Sequence, residues 1–92
     1  MNKTEKPIER ALRDGVKKRG GVAIKLWPFS QAGLPDRLVL LPVGRVYFVE
    51  TKAPGKRPRP EQTIVHGRLR AMGFVVEVLD TLEGVQEFLK SV

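Results

Sequence analysis

Two apolar segments separated by Pro42-Val43-Gly44 constrain the fold of this chain more than any other feature. Residues 37–41 (RLVLL) and 45–52 (RVYFVETK) are rich in β-branched and aromatic side chains, which favour extended strands. Pro42 suits the start of a type I turn, and Gly44 suits the left-handed position that closes a three-residue loop. The sequence therefore predicts a β-hairpin over residues 37–52.

The predicted loop length also fixes the register of the hairpin. When Leu41 pairs with Arg45, Asp36 falls directly opposite Glu50, and opposed residues of an antiparallel pair share a face. A two-residue loop would put these two carboxylates on opposite faces. Both faces of the hairpin are apolar, with Leu38, Leu40, Val46 and Phe48 on one and Val39, Leu41, Tyr47 and Val49 on the other. Such strands are expected at the centre of a sheet that is covered on both sides.

The segments around the hairpin predict three helices and two more strands. Apolar periodicity indicates helices over residues 7–18, from Pro60 to Gly73, and over 81–92; "VAIKLWPF" and "FVVEVLD" are typical of strands. The inward stripes are expected to be Ile8, Leu12 and Val16; Val65, Leu69 and Met72; and Leu82, Val85 and Leu89. We expect a single α/β domain over residues 1–92, a small mixed β-sheet with helices on its faces in the order α-β-β-β-α-β-α. A helical connection makes the last two strands parallel.

The charge balance points to a polyanionic partner. Seventeen Lys and Arg residues against ten Asp and Glu residues give a formal charge of +7, which favours nucleic acid. Without cysteine, thiolate metal sites and cysteine nucleophiles are excluded. No apolar run approaches the ~18 residues of a membrane span, so we expect a soluble protein without a membrane partner. A chain of 92 residues buries only about 60% of its unfolded surface, which favours a homodimer.

A pair of charges at the end of the second hairpin strand is the strongest chemical feature. Glu50 and Lys52 project to one face, Asp36 joins them by the predicted register, and Thr51 projects to the other face. Adjacent carboxylates repel unless a cation or a proton lies between them, and Mg²⁺ prefers such oxygen ligands. The Thr51 carbonyl could add a ligand, and Lys52 could hold a water or neutralise an oxyanion. The alternative is an ordinary ion pair without catalysis.

Residues 33–62, "GLPDRLVLLPVGRVYFVETKAPGKRPRPEQ", resemble the virus-type replication-repair nuclease (VRR-NUC) domain of the PD-(D/E)xK nuclease superfamily. The shared motif is Gly-x-Pro-Asp, an apolar strand, Glu-x-Lys, and a Gln that opens a helix. The resemblance implies a restriction-endonuclease-like core, with Asp36, Glu50 and the Thr51 carbonyl holding Mg²⁺ or Mn²⁺. It implies Lys52 as the catalytic lysine, and Glu9 and Gln62 as supporting residues of the site.

Two of these supporting roles have rivals. Glu5 lies one turn before Glu9 and could be the first-helix acidic residue, although a first-turn carboxylate also complements the helix dipole. Gln62 could simply cap its own helix. His66 is one turn after Gln62, where a structural or surface role is commoner than general-base catalysis.

Several basic residues are candidates for nucleic-acid binding. Lys25 interrupts the apolar face of the first strand, where it either reaches the surface or points toward a phosphate path. Lys56, Arg57 and Arg59 lie in the proline-rich linker between Lys52 and Gln62, where they either are solvated or contact phosphates. Trp27 and Phe29 could stack on an unpaired base, or pack in a core or dimer contact.

The resemblance implies a divalent-metal-dependent DNA endonuclease acting on branched DNA, since compact members look like Holliday-junction resolvases. A two-fold homodimer would present two active sites to a four-way junction. It also implies a phage or prophage origin and action in the bacterial cytoplasm. Two alternatives remain: a flap or nicking nuclease on the same fold, and a non-catalytic basic module that binds nucleic acid.

Overall fold

The computed structural model describes residues 5–26 and 33–92. The elements are α1 (Lys6–Lys18), β1 (Val22–Lys25), β2 (Arg37–Leu41), β3 (Arg45–Thr51), α2 (Pro60–Ala71), β4 (Val75–Leu79) and α3 (Leu82–Lys90). The predicted order of elements is confirmed. Trp27 and Phe29, for which stacking or packing was predicted, lie outside the described residues. Among the residues that are described, no helix combines the length and the apolarity that crossing a bilayer requires.

The four strands form one mixed sheet in the order β1-β2-β3-β4. The pairs β1–β2 and β2–β3 are antiparallel, and β3–β4 is parallel, as the helical connection through α2 predicts. The hairpin register is also confirmed, because Leu41 pairs with Arg45. The β2–β3 ladder ends at the pair Arg37 and Val49, so Asp36 lies just beyond it.

The hairpin loop has the predicted length but a different turn. Gly44 has the expected positive φ of 69°, but Val43 also has a positive φ of 70°. Val43 is the second central residue of the turn, and in a type I turn that residue has φ of about −90°. The type I prediction is therefore wrong, and a positive φ at this place is typical of a type II turn. A β-branched residue is strained in this conformation.

One face of the sheet carries the hydrophobic core. Helix α1 contributes Ile8, Leu12 and Val16, as predicted, and these side chains pack with Val39 and Val49 of the hairpin. Helix α3 packs beside α1 and contributes its buried residues, Val85, Phe88 and Leu89. The prediction that Leu82 points inward is wrong: this residue is 50% exposed, because it begins α3 at the edge of the core.

The opposite face of the sheet is only partly covered. Val22, Ile24 and Val46 on this face are 50%, 40% and 38% exposed, so full coverage of both hairpin faces is not observed. The predicted inward stripe of α2 is likewise only partly correct. Leu69 is buried, but Val65 is half-buried and Met72 is 65% exposed. The other buried residues of α2 are polar, Gln62 and His66, and they belong to the site described next.

Candidate active site

Glu50, Lys52 and Gln62 form one hydrogen-bonded group between the end of β3 and the start of α2. The Lys52 Nζ lies 3.3 Å from Glu50 Oε2 and donates to Gln62 Oε1 at 3.1 Å. The Gln62 Nε2 donates to the same Glu50 oxygen at 2.9 Å. Gln62 Oε1 also accepts from the backbone N–H of Arg59 at 2.8 Å, which caps α2. Gln62 therefore caps its own helix and also contacts Glu50 and Lys52, so the two predicted roles are compatible with each other.

Asp36 joins this group through the backbone. Its N–H donates to Glu50 Oε1 at 3.2 Å, so both oxygens of Glu50 are bonded. The carboxylate of Asp36 turns to Thr51 instead, where Oδ1 accepts from the backbone N–H at 2.9 Å and Oδ2 from the hydroxyl at 2.7 Å. The hairpin therefore brings Asp36 beside Glu50, as expected, but directs the Asp36 carboxylate toward helix α1.

The start of α1 supplies two more carboxylates. The Thr51 hydroxyl lies 2.9 Å from Glu5 Oε2 as well as near Asp36, so its single hydrogen serves two carboxylates. Oxygen atoms of Glu5, Glu9 and Asp36 all lie within 4.8 Å of one another. Glu5 and Glu9 therefore both reach the site. The sequence analysis offered them as alternatives, but their spacing of four residues could have indicated that both lie on one side of the helix.

The environment of these carboxylates disfavours their charge. Burial, followed by hydrogen bonding to Glu9, raises the pKa of Glu5 to about 6. Burial is also the main cause that raises the pKa of Asp36. For Glu50, burial followed by the charge of Asp36 raises the pKa, against the opposing effect of Lys52. A cation held among these groups would offset both the burial and the repulsion.

The donor set fits a hard divalent cation. The side chains that could serve as ligands are carboxylates, and the chain has no cysteine and a single histidine. Mg²⁺ and Mn²⁺ prefer such oxygen ligands, and the closely spaced carboxylates supply the negative charge that holds them. A zinc site built from thiolates or several imidazoles does not fit this chain.

Arg37 is a buried cation beside the site that was not among the predicted site residues. Its guanidinium lies 3.9 Å from Glu9 Oε1 and donates to the Ala23 carbonyl at 3.5 Å. Its Nε has no hydrogen-bond partner among the described residues. An arginine directly after the aspartate of the motif could have indicated a counter-charge for the helix carboxylates.

His66 lies on the buried face of α2, one turn after Gln62. The residue is 2% exposed, and its Nε2 is without a hydrogen-bond partner within residues 5–26 and 33–92. Burial lowers the pKa of His66, and the positive charges of Arg70 and Lys52 lower it further. The imidazole is therefore neutral at pH 7, and its burial supports the structural role that the sequence favoured.

The predicted binding residues lie at the surface. Lys25 is exposed at the end of β1 opposite Arg37, and the neighbouring Leu26 N–H donates to the Asp36 carbonyl at 2.8 Å. Lys25 is therefore at the site's end of the sheet. Lys56, Arg57 and Arg59 are exposed in the linker, where Arg59 Nε pairs with Glu61 at 2.9 Å.

The linker that carries these basic residues is held at both ends. Its turn has Gly55 at φ 81°, and the Lys56 N–H donates to the Ala53 carbonyl at 2.9 Å. The Gly55 N–H donates to Asp80 Oδ2 at 3.2 Å, which ties the turn to the end of β4. At its other end, Gln62 caps α2. The basic side chains are thereby displayed beside Lys52.

Two of the chains that are similar to this one bear on the site. A solved structure described as "VRR_NUC domain" superposes with a TM-score of 0.86 at 31% identity, covering 94% of each chain. "Putative nuclease p44" of Acyrthosiphon pisum secondary endosymbiont phage 1 is 49% identical over 77 residues, which are 84% of this chain and 83% of that protein. No model of a protein family matches the chain.

Proposed function

The chain belongs to the VRR-NUC nuclease family, and from this membership we propose that it is a divalent-metal-dependent DNA endonuclease. The observation that carries the proposal is the set of carboxylates and the lysine that lie around Thr51. Close to its side chain lie the carboxylates of Asp36, Glu5 and Glu9, and its two neighbours in the sequence are Glu50 and Lys52. Carboxylates with raised pKa values beside a lysine suit hydrolysis of a phosphodiester.

The metal would be held by Asp36, Glu50 and the carbonyl of Thr51. Glu9 and Glu5 would add negative charge near the metal, and the buried guanidinium of Arg37, which pairs with Glu9, would balance part of that charge. A bound Mg²⁺ or Mn²⁺ lowers the pKa of its water and stabilises charge on phosphoryl oxygens. The protein's own part is to orient these oxygen ligands, which it does with the backbone N–H groups of Asp36 and Thr51.

Lys52 would be the catalytic cation, and Gln62 its positioning residue. The Nζ of Lys52 is fixed by Glu50 and Gln62, which leaves one of its three N–H groups for a water or a phosphoryl oxygen. A fixed ammonium group stabilises charge that develops in the transition state. Lys25, Lys56, Arg57 and Arg59 would contact the phosphates of the flanking DNA.

We propose branched DNA as the substrate and a homodimer as the active form, working in the bacterial cytoplasm. A two-fold dimer would match the symmetry of a four-way junction. The exposed apolar face of the sheet, with Val22, Ile24 and Val46, suits a second copy of the chain, since apolar surface of this kind is normally buried in an interface.

Size measurement in solution tests the dimer. We expect a mass near twice the 10.3 kDa of the chain. Ile24→Glu places a charge on the apolar face and should yield the monomer. Val43→Glu is the matched control, because Val43 is 95% exposed at the hairpin tip and away from that face. A wild-type monomer at assay concentration contradicts the dimer.

Cleavage assays test the proposed activity. Purified protein is incubated with labelled four-way, flap, nicked and linear DNA, in EDTA, Mg²⁺ or Mn²⁺. We expect cutting that needs the metal, favours the four-way junction and disappears in Glu50→Gln. Preference for flaps or nicked duplexes supports the second nuclease type. Binding without cutting under every metal condition supports the non-catalytic module.

Metal and pH should act together on stability. Glu5, whose ordinary pKa is 4.5, has its pKa raised to about 6 by burial, so it binds its proton more tightly in the folded chain. Its contribution to stability is present below pH 4.5 and is lost as the pH rises through about 6. We therefore expect Mg²⁺ to raise Tm more at pH 7.5 than at pH 5.

Thermal unfolding with and without Mg²⁺ measures this difference. Glu5→Gln should reduce the difference between the Mg²⁺-induced increases in Tm at the two pH values. Glu61→Gln is the control, since Glu61 is exposed and does not belong to the carboxylate cluster of Glu5, Glu9 and Asp36. His66 contributes with the opposite sign, because its lowered pKa makes stability fall as the pH falls. If Mg²⁺ raises Tm equally at pH 5 and pH 7.5, the prediction is wrong.

A further inference from the structure

Helix α1 carries a row of cations that the proposed site does not use. Lys6, Arg10, Arg13 and Lys17 are all exposed, and their spacing of four, three and four residues places them on one face of the helix. We call these four residues the α1 ridge. At about 1.5 Å per residue, the ridge extends for about 16 Å along the helix.

The α1 ridge begins at the candidate active site. Lys6 directly follows Glu5, whose carboxylate accepts from Thr51, so the ridge starts at the end of α1 that contributes Glu5 to the site. Lys6 and Arg10 border a shallow depression with Leu82 of α3. Arg13 and Lys17 border another with Ala23 of β1. The ridge therefore runs away from the site between the start of α3 and the start of β1.

Neither ion pairing nor the helix dipole explains the ridge. In residues 5–26 and 33–92 the ion pairs are Arg37–Glu9, Lys52–Glu50 and Arg59–Glu61, none of which includes a ridge residue. The dipole favours cations at the C-terminus of a helix, which suits Lys17. Lys6 stands at the first position of α1, where the dipole disfavours a cation.

An exposed acidic residue, Asp14, lies beside the ridge. It borders both depressions together with the ridge residues, and its negative charge offsets one of their four positive charges. Phosphate groups are the anions that such an extended row of exposed cations attracts most strongly. The length of the ridge corresponds to about five base pairs, at about 3.4 Å of helix axis for each phosphate along a strand.

We propose that the α1 ridge is a second nucleic-acid contact surface, which binds the phosphate backbone of an arm leading away from the active site. The identity of the ligand rests on the proposed function. The ridge differs from the predicted surface of Lys25 and the linker, because it lies on α1 and continues beyond the catalytic group. It would add affinity and orientation without taking part in the chemistry.

Salt-dependent binding tests the ridge. The variant Arg10→Gln/Arg13→Gln/Lys17→Gln removes three cations and leaves Lys6, the residue nearest the carboxylates. The control Lys18→Gln/Arg45→Gln/Lys90→Gln removes three exposed cations from other surfaces. Fluorescence anisotropy with a labelled 30-base-pair duplex in EDTA gives affinity against salt. For the ridge variant we expect a slope of log K against log [salt] shallower by about 2.7, at about 0.9 for each lost contact.

Asp14→Asn provides a change of opposite sign. Removing this negative charge should tighten binding in the wild-type background and steepen the salt dependence, which a loss of folding cannot imitate. If the ridge variant keeps the slope of the control, or if Asp14→Asn leaves affinity unchanged, the ridge does not contact the backbone. Thermal unfolding of each variant checks that the helix is intact.

Kinetics separate this proposal from the proposed nuclease. In the ridge variant we expect KM for a long-armed junction to rise at least tenfold with kcat unchanged. A junction whose arms are too short to reach the ridge should be cut equally by the ridge variant and wild type. If wild type cuts and binds DNA but the ridge variant matches the control, only the ridge is wrong. If wild type neither binds nor cuts DNA, both proposals fail.

Discussion

Replacing Lys52 by alanine is expected to lower the rate of DNA cleavage by a factor of about 10² to 10³ or more, the effect of removing one fixed transition-state donor. Glu50 and Gln62 hold the Nζ of Lys52 in a fixed position. A cation from the solvent would not be held there by a covalent side chain, so it would not replace the lysine. Initial rates on a four-way junction in Mg²⁺, at saturating DNA, measure the loss.

The neighbouring linker offers a matched control for Lys52. Lys56→Ala removes the same side chain from an exposed position four residues later, where we expect weaker DNA binding with kcat almost unchanged. Lys52→Arg should fail to restore the rate, because a planar guanidinium does not reproduce the compact ammonium group. Near-normal cleavage by Lys52→Ala in a folded protein would remove this lysine from the mechanism.

Replacing Gly33 by alanine is expected to destabilise the fold by about 3 kcal/mol. Gly33 has a φ of 88°, a conformation that costs other residues about 1–2 kcal/mol. A Cβ there would also lie 2.6 Å from the Glu61 carbonyl oxygen and 2.7 Å from Val65 Cγ2. Overpacking of this kind costs about 1–3 kcal/mol, and the Glu61 backbone in α2 cannot move without disturbing Gln62.

A second glycine separates the two causes. Gly73 has a φ of 96°, but a Cβ there would meet no atom within 4 Å. Gly73→Ala should therefore cost only the conformational part, about 1–2 kcal/mol. Urea unfolding measures both variants. If Gly33→Ala and Gly73→Ala lower the free energy of unfolding equally, the contact of the added Cβ with α2 does not contribute to the effect.

The hairpin shows what the sequence could predict about the fold. Loop length determines register, so Pro42-Val43-Gly44 was enough to pair Leu41 with Arg45. Loop length does not determine the backbone angles of each loop residue, so the positive φ of Val43 was not foreseen. A type I turn and a type II turn can close strands in the same register.

Helix α2 shows why apolar periodicity failed near the site. The period predicted a stripe through Val65, Leu69 and Met72, but Gln62 and His66 are buried and Met72 is exposed. The hydrogen bonds of Gln62 to Glu50 and Lys52 compensate for its burial, which hydropathy cannot register. The resemblance to the nuclease motif, and not the apolar period, is what predicted Gln62 beside Glu50 and Lys52.

The carboxylates of the site were predicted in part. Asp36 and Glu50 were expected side by side, and the hairpin does bring them together through the Asp36 N–H. The direction of the Asp36 carboxylate depends on Thr51 and on helix α1, which are far apart in sequence. The sequence offers Glu5 and Glu9 as alternatives, since a first-turn carboxylate such as Glu5 also has a local explanation in the helix dipole; in the structure both lie near Asp36.

The amide of Gln62 has a further consequence for the chemistry that this position tolerates. Its oxygen receives two hydrogen bonds and its nitrogen gives one to Glu50, so the group works in one orientation only. Ionised glutamate has the same shape but no hydrogen to give, and it would add a fifth carboxylate to the four already present, those of Glu5, Glu9, Asp36 and Glu50. Position 62 therefore distinguishes glutamine from glutamate by whether one terminal atom donates a hydrogen bond or accepts it. Through the same amide, the first turn of α2 is linked to Lys52, the residue that would face the phosphate.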